Sequence, residues 1–441
     1  MRTTTNKSKS TASNYLLSIT IIGVLFFIFG FVTWLNGSLI PFLKIACELN
    51  QIEAYLVTLA FYISYTFMAL PMSAVLQRTG YKNGMVLGLL AMAVGALIFI
   101  PAAQTRIYAL FLLGLFVMGG GLTILQTASN PYIVVLGPKE SAAVRISFMG
   151  IANKFAGILS PLIFTAIMLH GMEKFSDANL KLMDASQKAV AFNELASRLI
   201  LPYILMAVVL VLLAAMIKYS PLPEIETGEE DSIKSDANSK TSILQFPQLI
   251  LGAIALFFYV GVEVIAGDTI GMYGKNLGVS FFGKLTSYTM TFMVLGYIIG
   301  IVAIPRFIKQ EKALILSAIL GLVFSLGVIS ASPASVGISG SVFGWLGIPA
   351  VPDSVFFLAL LGLANAMIWP TLWPLALEGL GKYTKIGSAI LIMGIAGGAL
   401  LPPLYGVLSN SYSPQGSYLI LLPCYLFIFY YALKGHKKRE W

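Results

Sequence analysis

Long apolar runs separated by short polar loops dominate the pattern of this chain. A membrane-spanning helix needs about 20 mainly apolar residues, because each residue adds ~1.5 Å along the helix axis. Twelve runs meet this requirement: 15–43, 54–78, 84–103, 107–136, 145–170, 198–218, 247–274, 282–305, 313–332, 354–379, 386–409 and 417–434. The pattern predicts an all-α membrane protein with twelve transmembrane helices.

A polar, acidic and proline-containing segment at 219–246 divides these runs six and six. Charge runs of this type are usually solvated linkers. We therefore predict an N-terminal six-helix bundle at 1–218, a cytoplasmic linker at 219–246 and a C-terminal six-helix bundle at 247–441.

The fourth and tenth runs begin one shared pattern, about 240 residues apart. Each has an X-Pro pair (Asn130-Pro131 and Trp369-Pro370), then a short basic loop and a Gly-rich helix that ends near a second proline. Two similar halves around a central cavity are the arrangement of many secondary transporters. The repeat therefore predicts two pseudo-symmetric bundles with a site between them.

Composition excludes several classes of protein. Apolar residues make up 58% of the 441 residues and charged residues 11%, against roughly 45–50% and about 25% in soluble domains. A cytosolic enzyme, a disordered chain and a nucleic-acid binder are excluded. The two cysteines and two histidines have no metal-ligand spacing, so we expect no metal site, no cofactor and no enzymatic activity.

The basic residues predict the orientation of the chain. If both termini are cytoplasmic, 19 of the 28 Lys and Arg residues lie on the inside, as the positive-inside rule requires. The first run is too long for a cleavable signal peptide and lacks a small-residue cleavage site. We expect a multi-pass protein with both ends in the cytoplasm.

Polar side chains inside the predicted spans mark a candidate substrate site, because an unpaired polar group in hydrocarbon costs several kcal/mol. The amides are Asn36, Gln126, Asn130 and Asn365, and the indoles are Trp34, Trp369 and Trp373. Amides hydrogen-bond hydroxyl groups, and an aromatic face packs against the C–H face of a sugar ring. The set predicts a sugar site, while interfacial anchoring by the tryptophans and interhelical hydrogen bonds by the asparagines stay open.

Two carboxylates lie well inside the seventh span. Glu263 is roughly 24 Å along it at ~1.5 Å per residue, and we expect it to bind sugar or cation. Asp268 is nearer the outer mouth and is the weaker candidate for cation coupling. Lys154 is roughly 15 Å into the fifth span, a depth that does not match Glu263, so its partner stays open.

Six stretches in order resemble the sugar permeases of the major facilitator superfamily, in the branch of the fucose permease and the bacterial glucose/galactose transporters. They are FFIFGFVTWLNGSLIP, LQTASNPYIVVLGP, FFYVGVEVIAGD, MIWPTLWPLALEGLG, GGALLPPLYG and LLPCYLFIFYYALKG. The first three also resemble bacterial N-acetylglucosamine permeases. The resemblance covers essentially the whole chain and implies two bundles that rock around a central sugar site in a bacterial inner membrane.

The chain departs from the proton-coupled fucose permease at both carboxylates implied in proton coupling. That permease has an Asp directly after an Asn in its first span, where this chain has Gly37 after Asn36. It also has a Glu where this chain has Gln126. An amide cannot take up and release a proton, so that mechanism is not carried over unchanged.

The resemblance still implies sugar contacts at four amides: Asn36, Gln126, Asn130 and Asn153. Glu263 stands where the glucose/galactose branch also has Glu, and Asp268 is a departure. That branch includes sodium-coupled members, and Na⁺ prefers oxygen ligands such as amide carbonyls and a carboxylate.

Together these observations predict a secondary active importer of a hexose or an N-acetylated amino sugar (glucose, galactose or N-acetylglucosamine), coupled to Na⁺ or H⁺. We expect a monomer, because one chain contains a complete cavity, with the sugar and the lipid bilayer as partners and no nucleic acid. An efflux antiporter of another small solute and a non-transporting sugar sensor stay open as alternatives.

Overall fold

A computed structural model describes residues 4–135, 142–168, 171, 175, 179, 182–222, 242–345, 347–380 and 383–441. Eleven helices in these ranges are long and apolar enough to cross a membrane, and a shorter apolar helix covers the second predicted run. In chain order they are α1 Leu17–Ala46, α2 Leu56–Ala69, α3 Arg78–Thr105, α4 Tyr108–Ser129, α5 Arg145–Met168, α6 Ala185–Tyr219, α7 Pro247–Asn276, α8 Phe282–Ile304, α9 Gln310–Ser330, α10 Asp353–Leu377, α11 Ile390–Ser411 and α12 Gly416–Lys437. The described ranges contain no strand, so the predicted all-α membrane fold is confirmed.

The second and third spans follow each other without a loop. Backbone hydrogen bonds run from Leu56 to Thr105, but Gly80 has φ 76° and ψ 170°. That left-handed φ is readily adopted only by glycine, so the chain turns there. The prediction of two spans is correct, and the connection is this single glycine turn.

Several spans are interrupted helices. The first is divided into Thr4–Trp34 and Asn36–Ala46. The seventh is divided into Pro247–Val264, a π-helical turn Ile265–Thr269 and Ile270–Asn276. The tenth is divided into Asp353–Asn365 and Ile368–Leu377, and the eleventh into Thr384–Met393 and Ala396–Ser411. Interrupted membrane helices free backbone and side-chain groups for binding, and are common at transporter sites.

Proline explains the break in α10. A proline ring clashes with the carbonyl of the residue four positions earlier, and Pro370 stands four positions after Ala366. The helix ends at Asn365 and restarts at Ile368, on either side of that carbonyl. The X-Pro pair of the sequence repeat therefore marks a break in the helix as well as a repeat.

Hydrogen bonds between the ends of the helices show which ends lie together. The Lys82 ammonium donates to the Ser220 carbonyl at 2.7 Å, and the Trp441 indole donates to the Leu244 carbonyl at 2.7 Å. These residues flank the α2–α3 turn, the 219–246 segment and the C-terminus. We call this the near end.

The opposite end holds the loops that follow α1, α3, α9 and α11. The Arg106 guanidinium donates to the Ala46 carbonyl at 2.9 Å, and the Gln415 amide donates to the Val328 carbonyl at 2.8 Å. We call this the far end. Adjacent spans therefore run in opposite directions, as a polytopic membrane protein requires.

The two halves of the chain contact each other through α1 with α7, α2 with α11 and α5 with α8. The Ser38 hydroxyl donates to the Gly283 carbonyl at 2.7 Å, and the Ser287 hydroxyl donates to the Ile158 carbonyl at 2.6 Å. These contacts lie toward the far end and close it. The bundle boundaries at 218 and 247 stay a prediction, since residues 223–241 of the linker are outside the described part of the chain.

Candidate functional site

A cavity of about 160 Å³ lies between the two halves. Helices α1, α2, α4 and α5 line it from one side, and α7, α8, α10 and α11 from the other. The predicted site residues that line it are Trp34, Gln126, Asn153, Glu263 and Trp369. Because the lining comes from both halves, any solute held here touches both.

Lys154 on α5 and Glu263 on α7 form an ion pair across the cavity. The distance from Nζ to Oε1 is 2.6 Å, and the two side chains are only 10% and 9% exposed. At such low exposure each charge needs the other, because an unpaired buried ion costs several kcal/mol. The pair therefore constrains how α5 and α7 sit relative to each other.

The depths of Lys154 and Glu263 in their predicted spans do not match, so the sequence alone does not pair them. Helical structure begins at Ala142, so Lys154 is twelve residues, or about 18 Å, from the start of its helix. Glu263 is sixteen residues, or about 24 Å, from Pro247. The flexible stem of the lysine spans the remaining difference, and the partner of Lys154 is Glu263.

Trp34 packs against this ion pair. The Lys154 ammonium is 4.4 Å from the centroid of the indole ring, a cation–π contact that contributes most where water is excluded. A Cβ at Gly157 would lie 2.6 Å from the indole Cδ1, and one at Gly267 would also overlap the ring. Glycine on both α5 and α7 therefore makes the space that the indole occupies between the two halves.

Two amide side chains at the cavity, Gln126 and Asn153, each have a carbonyl oxygen that is available to a ligand. The Gln126 Nε2 donates to the Tyr65 hydroxyl at 3.1 Å, and the Asn153 Nδ2 donates to the Phe26 carbonyl at 3.3 Å. Each amide keeps a carbonyl oxygen that has no hydrogen-bond partner among the described residues. Those oxygens can accept from hydroxyl groups of a ligand.

The aromatic stripe of α10 is only partly at the cavity. Trp369 lines it and stacks on Trp373 at 5.2 Å between ring centroids. Trp373 supports that ring from behind and does not line the cavity. Asn365 is fully buried and accepts from the Tyr425 hydroxyl at 2.9 Å, so its oxygen is used within the second half of the chain.

The other predicted residues are not among the described residues that line the cavity. Asn36 and Asp268 are buried at the contact between α1 and α7 and do not line it. Asn130 belongs to the helix that continues α4, and its side chain lies outside what the structure describes. Sugar contacts at Asn36 and Asn130 and cation coupling at Asp268 stay predictions.

Four tyrosines line the cavity that the sequence did not single out: Tyr62, Tyr65, Tyr259 and Tyr297. Tyr62 and Tyr65 are three residues apart, a spacing that puts both on one face of a helix. This spacing is the one feature of the sequence that could have indicated a shared face for these two tyrosines. With 20 tyrosines in the chain, residue type alone could not select these four.

We expect Lys154→Ala and Glu263→Ala each to lower the free energy of unfolding by about 3–5 kcal/mol, because each leaves a buried charge without its partner. The double variant should lose less than the sum of the two single variants. Thermal unfolding of the purified protein in detergent measures both effects. Glu48→Ala, which removes a mostly exposed ion pair with Arg106, should cost no more than about 1 kcal/mol. Strictly additive losses at Lys154 and Glu263 would contradict the ion pair.

The chain is similar over nearly its whole length to known membrane transporters. The family model for the Major Facilitator Superfamily matches residues 22–402. A glucose/galactose transporter of Brucella abortus is 33% identical over 433 residues, covering 97% of this chain and 96% of that protein. An L-fucose-proton symporter of Haemophilus influenzae is 29% identical over 446 residues, covering 98% of this chain and 99% of that protein.

Solved structures of transporters have the same fold as this chain. The major facilitator transporter FucP in the outward conformation has a TM-score of 0.71 and 25% sequence identity, covering 95% of this chain and 98% of that chain. A D-xylose-proton symporter at 15% identity has a TM-score of 0.66 and covers 96% of this chain and 98% of that chain, which shows the shared fold. The apolar helices, the cavity between the halves and these matches identify the chain as a member of the major facilitator superfamily, a membrane transporter and not an enzyme.

Proposed function

We propose that this transporter imports a hexose or an N-acetylated amino sugar together with a cation, H⁺ or Na⁺, across a bacterial inner membrane. The observation that carries the proposal is the cavity, which combines amides, indoles and a buried ion pair contributed by both halves. Relatives described as glucose/galactose transporters and L-fucose-proton symporters support it.

The chemistry of the cavity suits a single sugar ring. Trp34 and Trp369 line the cavity from opposite halves, and aromatic side chains pack against the C–H face of a pyranose. The free amide oxygens of Gln126 and Asn153 accept from hydroxyl groups, as does the Glu263 carboxylate. The volume of about 160 Å³ is below the ~300–1,000 Å³ of pockets for drug-sized ligands, which favours a monosaccharide over a bulky efflux substrate.

Alternating access follows from where the two halves touch. A sugar held by residues of both halves favours arrangements in which the halves are close, and it leaves when they separate on one side. The far end is closed by contacts such as Ser38 with Gly283. With basic residues concentrated at the near end, the positive-inside rule puts that end in the cytoplasm, and the far end is then the extracellular side.

Glu263→Gln should abolish accumulation of sugar, because the amide cannot carry the charge that cation coupling requires. Its carbonyl oxygen can still accept the hydrogen bond of the Lys154 ammonium, so the chain should remain folded. The measurement is uptake of labelled glucose, galactose, fucose and N-acetylglucosamine into proteoliposomes under an imposed H⁺ or Na⁺ gradient. Wild-type protein should concentrate one of these sugars, and the variant should reach only the external concentration.

Glu194→Gln is the matched control, since that side chain is 63% exposed and its ion pair with Arg198 lies at the surface. It should accumulate sugar like the wild type. Wild-type accumulation by Glu263→Gln would refute the coupling role, and failure of wild-type protein to move any sugar would refute the proposed substrate class.

A pair of tyrosines tests the orientation. Tyr219 at the near end is 83% exposed and Tyr412 at the far end is 82% exposed. In a background with Cys47→Ser and Cys424→Ser, Tyr412→Cys should react with a membrane-impermeant maleimide in intact cells. Tyr219→Cys should react only after the cells are permeabilised. The reverse pattern would place the termini outside.

A further inference from the structure

Asp268 is a buried carboxyl group where the two halves meet near the far end. It lies in the π turn of α7 and is fully buried. Neither carboxyl oxygen has a hydrogen-bond partner among the described residues, and the backbone N–H of Gly37 faces the group without completing a bond of ordinary geometry. An ionised carboxylate is very unfavourable in such surroundings. In this closed arrangement the group is therefore the neutral carboxylic acid.

The closed contact exists because α1 has no side chain at Gly37. A Cβ there would lie 2.9 Å from the Gly267 carbonyl oxygen and 3.3 Å from the Asp268 Cα. The hydrogen bond from Ser38 to Gly283 lies beside this contact. Separation of α1 from α7 at the far end would therefore bring water directly to Asp268.

Other polar groups at or beside this contact also have no hydrogen-bond partner among the described residues. The Asn36 Nδ2 lies at the contact, and the Trp34 Nε1 and the Tyr62 hydroxyl belong to side chains that line the adjoining cavity. Tyr62 is also close enough to interact electrostatically with Asp268. Buried polar groups without partners are rare in folded proteins, so these groups indicate that the contact and the cavity beside it are solvated in another state of the transport cycle.

We propose that Asp268 is the proton-binding group of this transporter, and that it must be protonated for the far end to close. The inference rests on the proposed function and names the coupled cation as H⁺. When the far end is open, Asp268 is hydrated and ionised. As the halves close around the sugar, an O–H bond forms on its carboxylate with a proton from the external water.

We infer that the proton leaves Asp268 through Glu263. Glu263 precedes Asp268 by five residues toward the near end, and the π turn Ile265–Thr269 falls within this interval. The two carboxyl groups are therefore about one helical turn apart on the same helix and interact electrostatically. The O–H bond of Asp268 breaks, one forms on Glu263, and Glu263 then releases the proton to water in the cavity. The near end is open at this stage, so water in the cavity replaces the Glu263 carboxylate as the partner of the Lys154 ammonium while Glu263 carries the proton. Asp268, left ionised in the closed contact, favours reopening of the far end.

The titratable groups that face Asp268 are few. Among the described residues, Glu263 is on its own helix, and Tyr55, just before α2, and Tyr62 on α2 face it from the first half of the chain. Gly37 on α1 and Thr286 on α8, which meet at this contact, have no titratable side chain. Phenols ionise near pH ~10, so the tyrosines stay uncharged between pH 6 and pH 8.

The pH dependence of far-end opening tests whether Asp268 must bind a proton for closure, and it can be measured without substrate. Ser38 is fully buried in the closed contact, so Ser38→Cys, with Cys47→Ser and Cys424→Ser, reacts with an impermeant maleimide only after opening. Opening releases one proton, so the labelling rate should rise with pH by about tenfold per unit. The same reporter combined with Asp268→Asn, which keeps the closed contact neutral, should lack this increase.

The ratio of the two labelling rates removes the pH dependence of the thiol itself, which both proteins share. A ratio that rises from pH 6 to pH 8 supports the proposal. Parallel pH profiles overturn it, whether or not any sugar is transported.

Transport by Asp268→Asn gives a second test. The variant should exchange labelled for unlabelled sugar across proteoliposomes that have no ion gradient, but it should not accumulate sugar under a pH gradient. Asp184→Asn is the matched control, because Asp184 is an exposed helix cap at the far end and asparagine caps equally well. It should do both.

Failure of the proton role of Asp268 can be distinguished from failure of the proposed sugar transport. Accumulation by Asp268→Asn at the wild-type level overturns the proton role and leaves sugar transport standing. Loss of exchange in a variant that remains monodisperse and still binds sugar also overturns it, because Asp268 would then be required for translocation itself. Wild-type accumulation driven by sodium alone overturns H⁺ as the cation, whereas wild-type protein that moves no sugar refutes the proposed function.

Discussion

The ion pair between Lys154 and Glu263 is the interaction on which the arrangement of the cavity depends. It joins α5 to α7 at 2.6 Å, in surroundings where neither charge is tolerated alone. Trp34 lies against the ammonium, and the cavity opens around all three side chains. Any movement of one half against the other, any bound sugar and any proton on Glu263 must therefore act on this pair.

Small residues and interrupted helices make that arrangement possible. Glycines at 157 and 267 provide the space for Trp34, and Gly37 lets α1 pack directly on the π turn of α7. In hydrocarbon, irregular backbone is tolerated only where other parts of the protein cover it or where it lines a cavity. The breaks in α1, α7 and α10 fall at or beside residues of the site, where the chain satisfies that condition.

The sequence predicted the helices well because hydrocarbon demands long apolar runs, and it predicted four of the cavity residues because polar groups in such runs need partners. A fifth, Asn153, was predicted only through the resemblance to sugar permeases. It could not pair Lys154 with Glu263, since an uncertainty of three residues in a helix start displaces a side chain by about 4.5 Å along the axis. Helical spacing shows which residues share a face, but not which face meets the cavity. Asn365 and Trp373 therefore lie behind the residues that line it.

The central claim, that a proton enters with the sugar, is tested most directly by identifying the ion that is transported with it. Proteoliposomes with wild-type protein and no imposed gradient are given the transported sugar outside, while internal pH and entry of radioactive sodium are followed. The account predicts that the interior acidifies as sugar enters, with no more sodium entry than in protein-free vesicles. Sodium entry at constant internal pH, or sugar entry with neither ion, would contradict it.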